Sequence, residues 1–154
     1  MKSIILISFL IAAATAFGQP GAGNGTPPKK ASKIIVLVKD SANNLLDKIA
    51  TELFDLGYTI ESKDEKSKFI ITKERPSKRF GTITRIRARI NDTAIVFTSQ
   101  IAINSDTDIL GTKEASKTFY DVDYRGGKKN PMLDAWNELE AIARKLSDKI
   151  VYSK

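Results

Sequence analysis

An α+β fold, with a curved antiparallel sheet of about five or six strands and two helices packed on one of its faces, is what three features of this 154-residue chain predict. Apolar and polar residues alternate at a period of two through the middle of the chain, the mark of strands with one buried face. Two other stretches, between Ser41 and Gly57 and over 131–150, space their apolar residues by three and four, as amphipathic helices do. Turn residues separate the strands at short intervals, so neighbours pair as antiparallel hairpins rather than through crossovers. The expected order is β-α-β-β-β-β-(β)-α.

Taken in order, Lys2, the apolar run 4–17 and Ala14-Thr15-Ala16 read as a secretory signal peptide over 1–18. The run is shorter than the roughly 20 residues that cross a bilayer, so the mature protein is expected to lack a transmembrane anchor. Cleavage after Gly18 exposes Gln19; cleavage after Ala16 also satisfies the small-x-small rule. Residues 19–32, with Gly21, Gly23, Gly25, Pro27 and Pro28, read as a flexible linker, and 33–154 as one domain. Its first strand is the β-branched run Ile34-Ile35-Val36-Leu37-Val38, of a kind covered on both faces or bordered by a helix.

Asp40-Ser41 offers a cap for the first helix, whose apolar stripe is Leu45, Leu46, Ile49, Leu53 and Leu56, and Gly57 supplies a left-handed stop. Tyr58-Thr59-Ile60 and Phe69-Ile70-Ile71-Thr72 form a hairpin around Asp64-Glu65-Lys66-Ser67, and Arg75-Pro76-Ser77 breaks its second arm. A longer hairpin pairs 83–90 with Ala94–Ile103 across Asn91-Asp92-Thr93. Residues 104–116 are polar and loop-like, and 118–124 offer a further strand. Asn130-Pro131 then cap the second helix, marked by Trp136, Leu139, Ile142, Ala143, Leu146 and Ile150. Trp136 reads as a core anchor beside Leu139.

The chain contains neither Cys nor His. Disulfides, thiol nucleophiles, Ser-His-Asp triads, the usual zinc sites and lipid acylation at a processed N-terminus are all excluded, and no cofactor is expected. The formal net charge of +7 invites an anionic partner, although a basic balance also serves solubility alone.

Through Leu56-Gly57-Tyr58-Thr59-Ile60, Asp64 and Phe69-Ile70-Ile71-Thr72, followed by an antiparallel hairpin, the chain resembles small envelope domains of TATA-binding-protein-like or helix-grip architecture. These include the repeated domain of the outer-membrane assembly lipoprotein BamC and other secreted families. The likeness covers 33–153 in element order. It departs at Ser67-Lys68, where such domains often carry Gly, and in lacking the lipoproteins' acylated Cys. The resemblance implies a fold and no nucleic-acid binding.

Arg85, Arg87 and Arg89 alternate with Ile86, Ala88 and Ile90, so a strand projects all three guanidinium groups from one sheet face. With Lys73, Lys78 and Arg79, and with Arg75 nearby, they form the candidate anion-binding set for lipopolysaccharide phosphate, a cell-wall polymer or an acidic protein. The competing interpretation is a solvated face balanced by Glu74, Asp121 and Asp123.

Asn104-Ser105-Asp106-Thr107-Asp108 spaces oxygen ligands as a calcium loop does, but Ile109 and Ala115 stand where that loop needs Gly and Glu, so no metal is expected. Lys78-Arg79-Phe80-Gly81 lacks the stacking aromatics of an RNA-recognition motif. Asp40-Ser41-Ala42 and Asp92-Thr93-Ala94 resemble O-glycosylation acceptors, yet Asp-Ser and Asp-Thr also serve as ordinary cap and turn residues. Asp121 and Asp123 are the best carboxylate pair for acid-base chemistry.

The expectation is an exported, non-enzymatic binding or accessory module of a Gram-negative envelope, periplasmic or extracellular, contacting an anionic partner through its basic sheet face. The alternative is a small carboxylate-dependent hydrolase acting on envelope polysaccharide.

Overall fold

The computed structural model describes residues 21–154 apart from 23, 24, 39–41, 78, 92, 104, 110, 111 and 127–129. The segment 1–18 expected as a signal peptide, the expected cap at Asp40-Ser41, Lys78, Asp92 and Asn104 therefore lie outside the described residues. In chain order the elements are β1 (Gly21–Ala22), β2 (Lys33–Leu37), α1 (Ala42–Asp55), β3 (Ile60–Asp64), β4 (Phe69–Thr72), β5 (Arg75–Pro76), β6 (Thr82–Asn91) and β7 (Ala94–Ile103). They continue with β8 (Ser105–Ile109), β9 (Thr112–Ser116), β10 (Phe119–Asp121), α2 (Pro131–Leu146) and β11 (Ile150–Ser153).

The β6–β7 hairpin is the spine, its ten residue pairs running in unbroken register from Thr82↔Ile103 to Asn91↔Ala94. Because it is longer than any other strand, each arm takes two neighbours in succession: β6 pairs with β4 and then β5, and β7 with β2 and then β10. The sheet therefore runs β1-β11-β2-β7-β6-β4-β3 with β5 and β10 beside its spine. Among the described residues it is antiparallel throughout and not closed, an α+β architecture.

Both helices cover the same face, as their stripes require. From the sheet, Ile34, Val36, Ile70, Ile86, Ile95 and Phe97 meet Leu45, Ile49 and Leu53 of α1 and Trp136, Leu139 and Ile142 of α2, all at 3% exposure or less. Burying each such side chain contributes about 1.5–3 kcal/mol, so this layer dominates stability. Trp136 lies between the rings of Tyr124 (centroids 5.7 Å apart) and Tyr152 (6.0 Å). Asn130 caps α2 by accepting from Leu133 N–H at 2.9 Å, with Pro131 opening the helix, and Gly57 leaves α1 at φ +81°.

The structure differs from the expected order in three places. The second helix stops at Leu146, where the Ser147 N–H donates to Ala143 O, and Ile150 instead begins β11, paired with β2. Leu146 and Ile150 keep helical spacing by coincidence, while Ile150-Val151-Tyr152 follows a strand alternation. Residues 105–109 and 112–116, expected as loop, form the separate β8–β9 hairpin. Packing starts before Lys33: Ala31 is fully buried and joined to Tyr124 through its carbonyl, and Gly21–Ala22 borders β11. The β2 run is bordered by the helices on one face, where Ile34 and Val36 are buried, while Ile35, half-buried, and Leu37, exposed, share the other.

Candidate functional site

On the face opposite the helices, the register sets out the basic stripe row by row. Arg89 stands between Phe69 of β4 and Val96 of β7, and Ile35 of β2 and Val151 of β11 continue that row. In the next row Arg87 lies between Ile71 and Thr98, and Lys33 follows. Apart from Val151, these two rows line a solvent-facing groove of about 790 Å³. Among the described residues no Asp or Glu lines it, and Arg87 and Arg89 are exposed and make no hydrogen bond or ion pair.

Arg85 belongs to a different environment. Its Nη2 donates to Gln100 Oε1 at 2.8 Å, Gln100 Nε2 donates to Asp121 Oδ1 at 3.0 Å, and the guanidinium lies 4.7 Å from the Phe119 ring centroid. These contacts hold Arg85 at the β10 end of the stripe, outside the groove lining. Arg79 is displaced further, its Nη1 3.6 Å from Asp134 Oδ2 on α2 and its guanidinium over Phe80. Lys73 is exposed in the link after β4, away from the groove lining. The six candidate cations thus do not converge: Arg87 and Arg89 share the groove, Arg85, Arg79 and Lys73 stand apart, and Lys78 lies outside the described residues.

The groove's apolar floor, Ile35, Phe69, Ile71 and Val96, was not among the residues singled out from sequence. A signal was present. Each sits in an unbroken apolar run, Ile34-Ile35-Val36, Phe69-Ile70-Ile71 or Ile95-Val96-Phe97, and since a strand buries alternate residues, the remaining ones must face outward.

A second polar cluster joins β5, α2 and the segment after α1, beside a cavity of about 180 Å³. The Tyr58 hydroxyl donates to Glu138 Oε2 at 2.8 Å, lies 3.1 Å from Thr84 Oγ1 and accepts from Arg75 Nη2, which also donates to Glu138. The Arg75 guanidinium covers the Tyr58 ring at 4.3 Å. Burial pushes the Tyr58 phenol above its ordinary value, with the Thr84 and Arg75 hydrogen bonds opposing it. Of the buried side-chain nitrogens and oxygens in this cluster only Arg75 Nε lacks a partner, so the cluster is a brace between strand and helix.

The two carboxylates considered for catalysis are separately engaged. Asp121 accepts from Gln100, while Asp123 falls beyond the end of β10 and pairs with Arg125 at 2.6 Å. Glu74 pairs with Lys117 at 2.6 Å. Among the described residues no three potential metal-binding side chains gather, and the backbone at Asp106 and Asp108 belongs to β8.

Fold and site together define an α+β protein with an open antiparallel sheet, helices on one face and a cationic, apolar-floored groove on the other. No protein-family model matches the chain, and no curated protein matches it.

Proposed function

We propose that this chain is an exported, non-enzymatic binding module of the bacterial envelope that takes an anionic partner on its open sheet face. The observation that carries the reading is the pair Arg87 and Arg89, both exposed, both unpaired among the described residues, in a groove without acidic lining. Two free guanidinium forks on one strand face favour oxyanions such as phosphate or carboxylate, which they bind bidentately. The export half rests on Lys2, the apolar run 4–17 and Ala14-Thr15-Ala16. The sheet with both helices on one side also suits the resemblance to TATA-binding-protein-like envelope domains, as architecture alone.

The test is binding of wild type and Arg87→Gln/Arg89→Gln to lipopolysaccharide and to anionic vesicles, with circular dichroism to check folding. Exposed charges each contribute up to about 1 kcal/mol, so the double variant should bind about tenfold more weakly. Arg85→Gln, at a half-buried position beside Gln100 and Phe119 and outside the groove lining, should change affinity less than about threefold. Wild-type binding should also weaken as salt rises through the physiological range, where charges are screened beyond about 8 Å. Equal binding by the double variant and wild type would sink the reading.

A further inference from the structure

We propose that the groove holds one long-chain carboxylate, its acyl chain lying across the apolar floor and its head group against Arg87 or Arg89; this rests on the anion-binding reading above. The floor carries the inference. Phe69, Val96 and Ile35 form a single cross-strand row that passes Arg89 and ends at Val151, with Ile71 beside Arg87 in the adjoining row. The core does not require these residues, because Ile34, Ile70, Ile95 and Phe97 already supply the helix-covered face. A purely polar anion, such as a sugar phosphate, would leave this apolar strip wet, whereas an alkyl chain covers it.

The dimensions agree. From β4 to β2 the row crosses three strand spacings, roughly 14 Å, and rows on one face are about 7 Å apart, the width of one extended chain. The volume of about 790 Å³ falls within the range of small-molecule sites. Charge complementarity selects an acid: Arg87 and Arg89 rim the floor, with Lys33, whose Nζ donates to Lys154 O at 3.1 Å, at its end, and no carboxylate stands among the described lining residues. The guanidinium forks match a carboxylate, and the Thr98 hydroxyl, in the row of Arg87, adds a donor. The same charges disfavour a second copy of this chain, since face-to-face packing would set these cations against their own counterparts.

The test is calorimetric titration of the full chain with dodecanoate, butyrate and dodecanol, each below its aggregation threshold. Dodecanoate should saturate one site and bind at least tenfold more tightly than either comparison ligand. Arg87→Gln/Arg89→Gln should lower dodecanoate affinity about tenfold, and the near-isosteric Val96→Thr about threefold, both with an unchanged melting temperature. If dodecanoate binds no better than butyrate while anionic vesicles still bind through Arg87 and Arg89, the acyl site is overturned and the anion reading stands. Equal binding of dodecanol and dodecanoate overturns the head-group assignment. If neither dodecanoate nor vesicles bind, both readings fall.

Discussion

Tyr58 places one hydroxyl among Thr84, Glu138 and Arg75. Tyr58→Phe keeps the ring under the Arg75 guanidinium but leaves Thr84 with the Arg75 carbonyl alone and Glu138 with Arg75 alone, so urea denaturation should show a loss of about 1 kcal/mol. The fully buried Trp136 has a different role, filling volume between Tyr124 and Tyr152; Trp136→Ala should cost about 3–5 kcal/mol by the same measurement. Tyr152 donates to Glu140 at 2.8 Å, and burial, reinforced by that carboxylate, pushes its phenol up to about 12. An unfolded tyrosine ionises near 10, so the folded state favours the neutral phenol. The associated stability is complete below about pH 10 and is lost as pH rises through about 12. The urea midpoint of wild type should fall across that window, and Tyr152→Phe, less stable at neutral pH, should fall less steeply.

Among the elements, the turn between β3 and β4 holds a strained position. Lys68 adopts φ +53°, where a Cβ is unfavourable, while Asp64 accepts from Ser67 N–H at 2.8 Å and Lys68 O accepts from Ile90 N–H at 2.9 Å. Lys68→Gly relieves that strain against the greater freedom of an unfolded glycine, and thermal melting should show a gain of about 0.5–1 kcal/mol. Gly57→Ala, at φ +81°, should lose about 1 kcal/mol for the converse reason. Elements whose signals are local were readable from sequence: the cap at Asn130-Pro131, the stripe through Trp136 and Leu139, and the alternation along β6. Those without a local apolar signal were not. The residues of β8 and β9, Ser-Asp-Thr-Asp-Ile and Thr-Lys-Glu-Ala-Ser, carry no apolar alternation, and two-residue β5 exists only because β6 extends past β4. The arginine stripe was likewise readable as a periodicity, but the engagement of Arg85 depends on Gln100 and Phe119 from other strands, which no spacing around residue 85 discloses.

At the scale of the whole molecule, one helix-covered core and no cysteine leave packing as the source of stability. Chelator, reductant and millimolar calcium should each leave the melting temperature unchanged; a rise of several degrees with calcium would show that Asp106 and Asp108 bind it after all. The sheet order carries a kinetic consequence. Strand β2 lies between β7 and β11, and its pairs Val36↔Ile95 and Val36↔Ile150 bridge most of the domain. Such non-local pairing slows folding, because loop closure must precede the contacts that reward it. Until both partners arrive, Ile34-Ile35-Val36-Leu37-Val38 is an uncharged β-branched segment with two open hydrogen-bonding edges. Refolding is then a race between intramolecular closure and association with other unfolded chains, and its yield should decline as protein concentration rises. A strand enclosed on both sides in the finished sheet is thus the segment most exposed to aggregation while the sheet is being made.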